Sequence, residues 1–318
     1  MAWFPRFLLK RVALALVTLF VVSVIVFAVS DLLPGDVGRA ILGRSASAHQ
    51  VALIDHRLGL DRPLLERYAS TMGGYIRGDW GTSPVLASPV RPLVVRRAVN
   101  SLILAAFAFL LVVPLSIFMG VVAALHHGRW QDRLISITGL SLLALPEFVT
   151  GVILLIVFAV NLHWLPSSSQ VPKPNPIDWF RQLLLPSIPL VFVLFGYISR
   201  MARAGTIEAL QANYTRTAVL KGLSRRRVIG RHVVRNSLLP TISVVSVQVG
   251  YLVGGLVVVE TLFNYPGIGL LAYDSVQAND VTVIEAIVLF TAVVYMFANL
   301  IADTLFGILD PRVRTATR

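Results

Sequence analysis

The chain contains no cysteine. Disulfides, thiolate metal sites, iron–sulfur ligation and thiol nucleophiles are therefore excluded together. Charge is also scarce. Asp, Glu, Lys and Arg make up 14% of the 318 residues, against 56% hydrophobic, where an ordinary soluble domain carries about 25% charged residues. Lysine is nearly missing: Lys10, Lys173 and Lys221 are the only ones, and none follows a glycine. The chain consequently has no G-x-x-x-x-G-K-[ST] loop to cradle nucleotide phosphates. It also lacks an H-E-x-x-H motif, a Ser/His/Asp arrangement or paired carboxylates that would support a membrane enzyme.

The apolar residues fall in long runs. A helix needs about 20 mostly apolar residues to cross a hydrocarbon layer of roughly 30 Å. Six segments approach that length: Val12–Val29, Ala98–Leu125, Leu134–Val160, Leu183–Ser199, Leu238–Val259 and Ile284–Leu309. Backbone groups in lipid must bond within their own segment, so these are expected to be helices, and the alternation of a β-barrel is missing. The reading is an all-α integral membrane protein with six transmembrane helices. Lys10 and Arg11 before the first run, and Ala28-Val29-Ser30 after it, resemble a signal peptide. The run of 18 residues exceeds the usual 7–15 of a secretory core, so an uncleaved first helix is expected.

The net charge of +12 is spread in a way that speaks for membrane topology and against nucleic acid. Arg6, Lys10 and Arg11 precede the first run, Arg129 and Arg133 lie in the second loop, and Arg312, Arg314 and Arg318 in the tail. Nine lie between Arg200 and Arg235, whereas the third and fifth loops hold only Lys173 and Arg181. The first loop, Asp31–Arg97, is too long for the charge rule to apply. Positive charge on the inside then puts both termini and the second and fourth loops on the cytoplasmic side. The abundance of Arg over Lys hints at a GC-rich bacterial genome.

Asp31–Arg97 is the one place with room for soluble structure. It opens on the turn signal "DLLPGD" and holds a helical pattern from Leu60 to Tyr75. It is too short for an enzyme domain with its own large core, so a cap on the membrane or a partner-contact region is expected. The fourth crossing carries Pro186 and Pro189 near its expected start, where missing donors cost least. In the fifth external loop, "ETLFNYPGIGLLAYDSVQANDVTV", a Pro266-Gly267 turn between apolar stretches suggests a partial dip into the membrane.

Positive charge is densest in "YTRTAVLKGLSRRRVIGRHVVRNSLLP", Tyr214 to Pro240, with seven Lys or Arg and no acid. Read as helix, it groups Ala218, Val219, Leu220 and Leu223, with Arg216, Lys221 and Arg225 around them. Gly222 interrupts the pattern, which predicts two short helices with a break. A solvated loop that fixes topology or touches anionic lipid accounts for the charges. It leaves unexplained an apolar strip, a central glycine and a terminal Leu239-Pro240 in one loop.

This stretch resembles the cytoplasmic signature loop of the permease subunits of ATP-binding-cassette importers. The match runs through Arg216-Thr217-Ala218, Gly222 and Leu239-Pro240. Arg216 in place of an acid, and the long glycine-to-proline spacing, are typical of the dipeptide/oligopeptide/nickel branch. "LLPGD", "LGLDRPLLERY", "RGDWGTS", "LPEFVTG", "VVETLFNYPGIG" and "ADTLFGILDPRVR" follow that branch in order, over essentially the whole chain.

The resemblance implies a type I importer permease fold. A first helix and external segment would occupy 1–97, a five-helix permease core 98–309 with the coupling loop at about 200–237, and a cytoplasmic tail 310–318. It implies the first of two homologous permease subunits, two ATPase subunits or domains, an external substrate-binding protein and surrounding membrane lipid as partners. ATP and Mg would bind on the ATPase, and this chain would hold no cofactor or metal. Tyr214, Arg216, Thr217, Ala218, Leu220, Lys221, Gly222, Leu223, Arg225 and Pro240 would form the coupling loop. Ala218 and Gly222 are expected to allow close approach of the ATPase, Leu220 and Leu223 to supply buried contact, and the arginines hydrogen bonds or steering. Gly222→Trp is then expected to leave insertion intact and abolish transport.

Di- or oligopeptides are the expected cargo, with nickel chelates, oligosaccharides or glutathione-like molecules as alternatives. A secondary transporter or channel remains as a different class; more charge at mid-membrane would favour it. Glu147, mid-span in "SLLALPEFVTG", is read either as lining the path toward a cationic group or as a helix–helix partner. Asp303 is read as structural, and His126-His127 as too few ligands for a metal.

Overall fold

The computed structural model describes residues 3–32, 47, 49, 62–169 and 175–309. The motif residues 33–36 and 58–61, Lys173 and the tail 310–318 lie outside the described residues, as does the side chain of Asp303.

Helix α1 (Trp3–Leu32) is followed by α2 (Leu64–Arg77) and a hairpin of β1 (Thr82–Ser83) and β2 (Ser88–Pro89), with Thr82 opposite Pro89. Next come α3 (Val90–Leu125), α4 (Trp130–Ala144) and α5 (Glu147–Leu154), the last continuing as a π-helical turn, Leu155–Asn161. Helix α6 (Pro176–Gln211) leads to α7 (Asn213–Leu220). A short α8 (Arg225–Arg227) and a second π-helical stretch, Val228–Val234, run into α9 (Arg235–Leu262), and α10 (Ile268–Gln277) and α11 (Val281–Leu309) follow.

Four helical stretches among the described residues are long and apolar enough to cross a membrane: Leu8–Ser30, Val90–Leu125, Pro176–Gln211 and Val281–Ile301. The pair α4 and α5 makes a fifth if it counts as one span. The coat of α1 shows what these helices are built for. Leu9, Leu16, Val17 and Phe20 are exposed around it, a surface that lipid accepts and water does not.

Two of the expected crossings take a different form. Leu134–Val160 is not one rod: the chain bends by 101° between α4 and α5. Pro146 has no N–H to continue α4, and its ring forces Leu145 to extended backbone (φ −83°, ψ 127°). The fourth crossing is far longer than Leu183–Ser199, so Pro186 and Pro189 lie inside α6 rather than at its start. Pro186 cannot donate to the carbonyl of Gln182, one turn back. The Ser169 hydroxyl donates to that carbonyl instead, at 2.7 Å, which explains how a buried interior proline is tolerated.

The chain divides into two compact units. One comprises Met1–Phe4, Leu102–Tyr265 and Phe297–Arg318. Its core gathers Leu104, Ala108 and Val112 of α3, Leu183, Leu190, Leu194 and Ile198 of α6, and Leu252, Leu256 and Val259 of α9. Small residues let these helices approach closely. A methyl group at Gly196 would lie 2.5 Å from the Gly139 carbonyl oxygen, and one at Gly120 the same distance from that of Ser199.

The other unit comprises Pro5–Ser101 and Pro266–Met296. Val90, Val94, Leu271, Val283 and Ile287 form its core, with Tyr75 and Trp80 packed against them. The buried Asp280 carboxylate accepts hydrogen bonds from the Ser83 hydroxyl and the Val283 N–H, tying the hairpin to the start of α11.

Candidate functional site

The linker between α6 and α9 carries most of the residues singled out in the sequence. One extended residue, Ala212, separates α6 from α7, so the two helices join without slack. Helix α7 is fastened by one face only. The Thr215 hydroxyl donates to the Ala209 carbonyl at 2.7 Å, and Ala218 packs with Ala209, Val228 and Val233, with Leu223 against them. The rest of its surface is bare: Leu220, on the opposite face, is 80% exposed, and Val219 and Tyr214, at the margins of the fastened face, 59% and 42%. Arg216, Thr217, Lys221 and Arg225 are exposed beside it.

This arrangement revises two sequence expectations, for Ala218 and Leu223, and gives Gly222 a role within the chain itself. Ala218 is 4% exposed and faces its own chain, so it is not a point of close approach for a partner. Leu223 is partly buried in the same internal cluster, leaving Leu220 as the exposed leucine on the far side of α7. Gly222 does break the helix, but a methyl group there would meet open space. What requires glycine is its φ of +74°. Its N–H donates to the Val219 carbonyl and that of Leu223 to the Ala218 carbonyl, a Schellman stop closed by the contact of Leu223 with Ala218. Gly222→Trp would thus strain the backbone whatever docks outside.

Pro240 lies inside α9 rather than on α7. It helps pin α6 to the foot of α9: a methyl group at Gly205 would lie 2.6 Å from the Ser237 carbonyl oxygen and 3.7 Å from the Pro240 ring.

A polar clamp, which the sequence reading missed, secures the same end of α6. Arg203 donates through Nε and Nη2 to the two oxygens of Asp132, at 2.6 and 2.8 Å. Asp132 also accepts from the Gly128 N–H at 2.9 Å, and His127 Nδ1 lies 3.2 Å away. A two-pronged Arg–carboxylate pair is both strong and directional, and it ties α4 to α6 about three turns before the linker helix. The only hint in the sequence was a lone acid, Asp132, among the basic residues of its loop. His126 Nδ1 lies 2.9 Å from the Val122 carbonyl, so the two histidines point to different partners. No group of three metal-binding side chains occurs among the described residues.

Glu147 stands in the first turn of α5, just past the bend. Its carboxylate lies over Gly255 of α9: a methyl group there would come within 2.9 Å of both oxygens. Thus α9 meets α5 through a glycine that makes room for an acid.

Apolar helices open to lipid, joined to a linker helix with one face locked and the other bare, define an integral membrane subunit. Comparison with known proteins specifies it further. Residues 116–315 match the family described as the binding-protein-dependent transport system inner membrane component, and residues 4–85 match the N-terminal family of such membrane components. The glutathione transport system permease proteins GsiC of Escherichia coli (strain K12), Shigella dysenteriae serotype 1 (strain Sd197) and Shigella flexneri serotype 5b (strain 8401) are each 34% identical to this chain over 309 residues. The alignments cover 97% of this chain and 99% of theirs.

The chain belongs to the inner membrane permease components of binding-protein-dependent, ATP-binding-cassette import systems. It is a multi-pass inner-membrane protein that works with an ATPase and a substrate-binding protein.

Proposed function

We propose that this chain is one of two homologous permease subunits that together enclose the path of a peptide importer. In this reading six helices cross the membrane, both termini are cytoplasmic, and the ATPase resides on separate chains that hold ATP and Mg. The chain itself does no chemistry and binds no cofactor. Small peptides, the glutathione class among them, are the favoured cargo, because the curated relatives are named for glutathione transport.

Helix α7 is the element that receives force from the ATPase. The observation that carries this is its two-sidedness: Thr215 and Ala218 are held by the chain, while Leu220 on the far side, and Tyr214 and Val219 at the margins, are apolar side chains that the chain leaves uncovered. Exposed apolar side chains interleaved with Arg216 and Lys221 suit a groove with an acidic rim. Motion delivered there passes into α6 through Ala212, and from α6 into α4 and α9 through the Arg203–Asp132 clamp and the Gly205–Ser237 contact.

Leu220→Glu tests this in the complete importer. The side chain is 80% exposed, so its replacement should shift the stability of the subunit by no more than about 0.5 kcal/mol. It should nonetheless lower co-purification of the ATPase and reduce uptake about tenfold or more, the effect of losing one interface anchor. Uptake and ATPase recovery at wild-type levels would reject α7 as the contact.

A further inference from the structure

Glu147 has a set of surroundings that its role as a helix contact does not require. Among the described residues no Lys, Arg or His pairs with it. Its Oε1 is buried and has no hydrogen-bond partner. The Tyr251 phenol, one turn before Gly255 on α9, lies near the same carboxylate. Two turns before Gly255, Gln248 is only 7% exposed, and its Nε2 also has no partner. A carboxylate and an amide N–H left unanswered between apolar helices each cost free energy unless something polar meets them. The first calls for a cation with N–H donors, the second for a carbonyl oxygen.

We infer that Glu147, Tyr251 and Gln248 form a subsite for the free ammonium terminus of a peptide in transit, with Gly255 keeping the space in which the carboxylate meets it. This rests on the peptide-importer reading above. The ammonium group supplies the charge and donors that Glu147 lacks, and a backbone carbonyl further along the peptide accepts from Gln248. The two positions stand about 10 Å apart along α9, the length of about three extended residues. A purely structural role predicts otherwise, since glutamine at 147 would keep an acceptor for Tyr251 and a similar volume.

The test uses the complete importer, with its ATPase, second permease and binding protein, in proteoliposomes. Uptake of trialanine and of N-acetyltrialanine is measured for wild type, Glu147→Gln and Glu147→Asp. The binding protein's own preference is common to all three and cancels in the comparison. The ratio of free to acetylated peptide uptake should fall about tenfold or more in Glu147→Gln, the loss of one charge-assisted hydrogen bond, and recover in part in Glu147→Asp. An unchanged ratio overturns the inference, whether both uptakes persist or both decline together. Failure of Glu147→Gln to assemble, or to import either peptide, assigns Glu147 a structural role and overturns it as well. If wild type imports neither peptide, the peptide-importer reading is rejected and this inference with it.

Discussion

Gly222 and Asp132 are single residues with consequences well beyond their size. With φ at +74° and open space around it, Gly222 can lose its hydrogen for a methyl group only at a conformational cost of about 1–2 kcal/mol. Gly222→Ala should therefore lower thermal stability in detergent modestly, Gly222→Asn less, and Gly222→Val more. Equal effects from all three would show that space, not backbone, governs the position. Asp132 is the opposite case, a residue whose worth lies in its partners. Its side chain is 6% exposed and that of Arg203 27%. Asp132→Ala strands the guanidinium at a cost of about 3 kcal/mol, at the low end for breaking a buried pair because Arg203 keeps some water. Arg203→Lys should recover little of the coupling, since a point charge cannot replace the two-pronged geometry. Paired measurements of unfolding and uptake check both.

Among the elements, α6 is the hub, meeting α3 at Gly120, α4 at Gly196 and α9 at Gly205 through contacts too close for a side chain. The interior proline of this helix gives a sharp test. Ser169→Ala should destabilise by about 1–3 kcal/mol, because the Gln182 carbonyl is left without a donor. Adding Pro186→Ala should restore part of that loss, since the new N–H lies where the carbonyl needs it. Additive losses in the double variant would refute the compensation.

The sequence made the apolar runs of this hub and its neighbours legible, because lipid demands length and hydropathy, and both are local properties. It also made the break at Gly222 legible. It did not reveal that Pro146 turns the chain by 101°, or that Pro186 is rescued by a serine 17 positions away. Both depend on what the surrounding chain offers. The clamp joins Asp132 to Arg203 across 71 residues, and the shelf at Gly255 faces an acid on another helix. Nothing in a local pattern of charge or glycine identifies such partners.

The molecule as a whole is a membrane permease component, and in the proposed function its moving connection is the short helix α7. With one face of that helix locked to α6 and the other bare, a partner's motion would enter a bundle that carries no nucleotide loop of its own. The natural absence of cysteine makes the decisive measurement clean: Leu220→Cys and Ala218→Cys are introduced singly and crosslinked in membranes that hold the complete importer. The Leu220→Cys variant should join to the ATPase, with a yield that changes when ATP is added, and Ala218→Cys should not. Crosslinks from Ala218→Cys but not from Leu220→Cys, or none from either variant in an importer that still transports, would contradict the account.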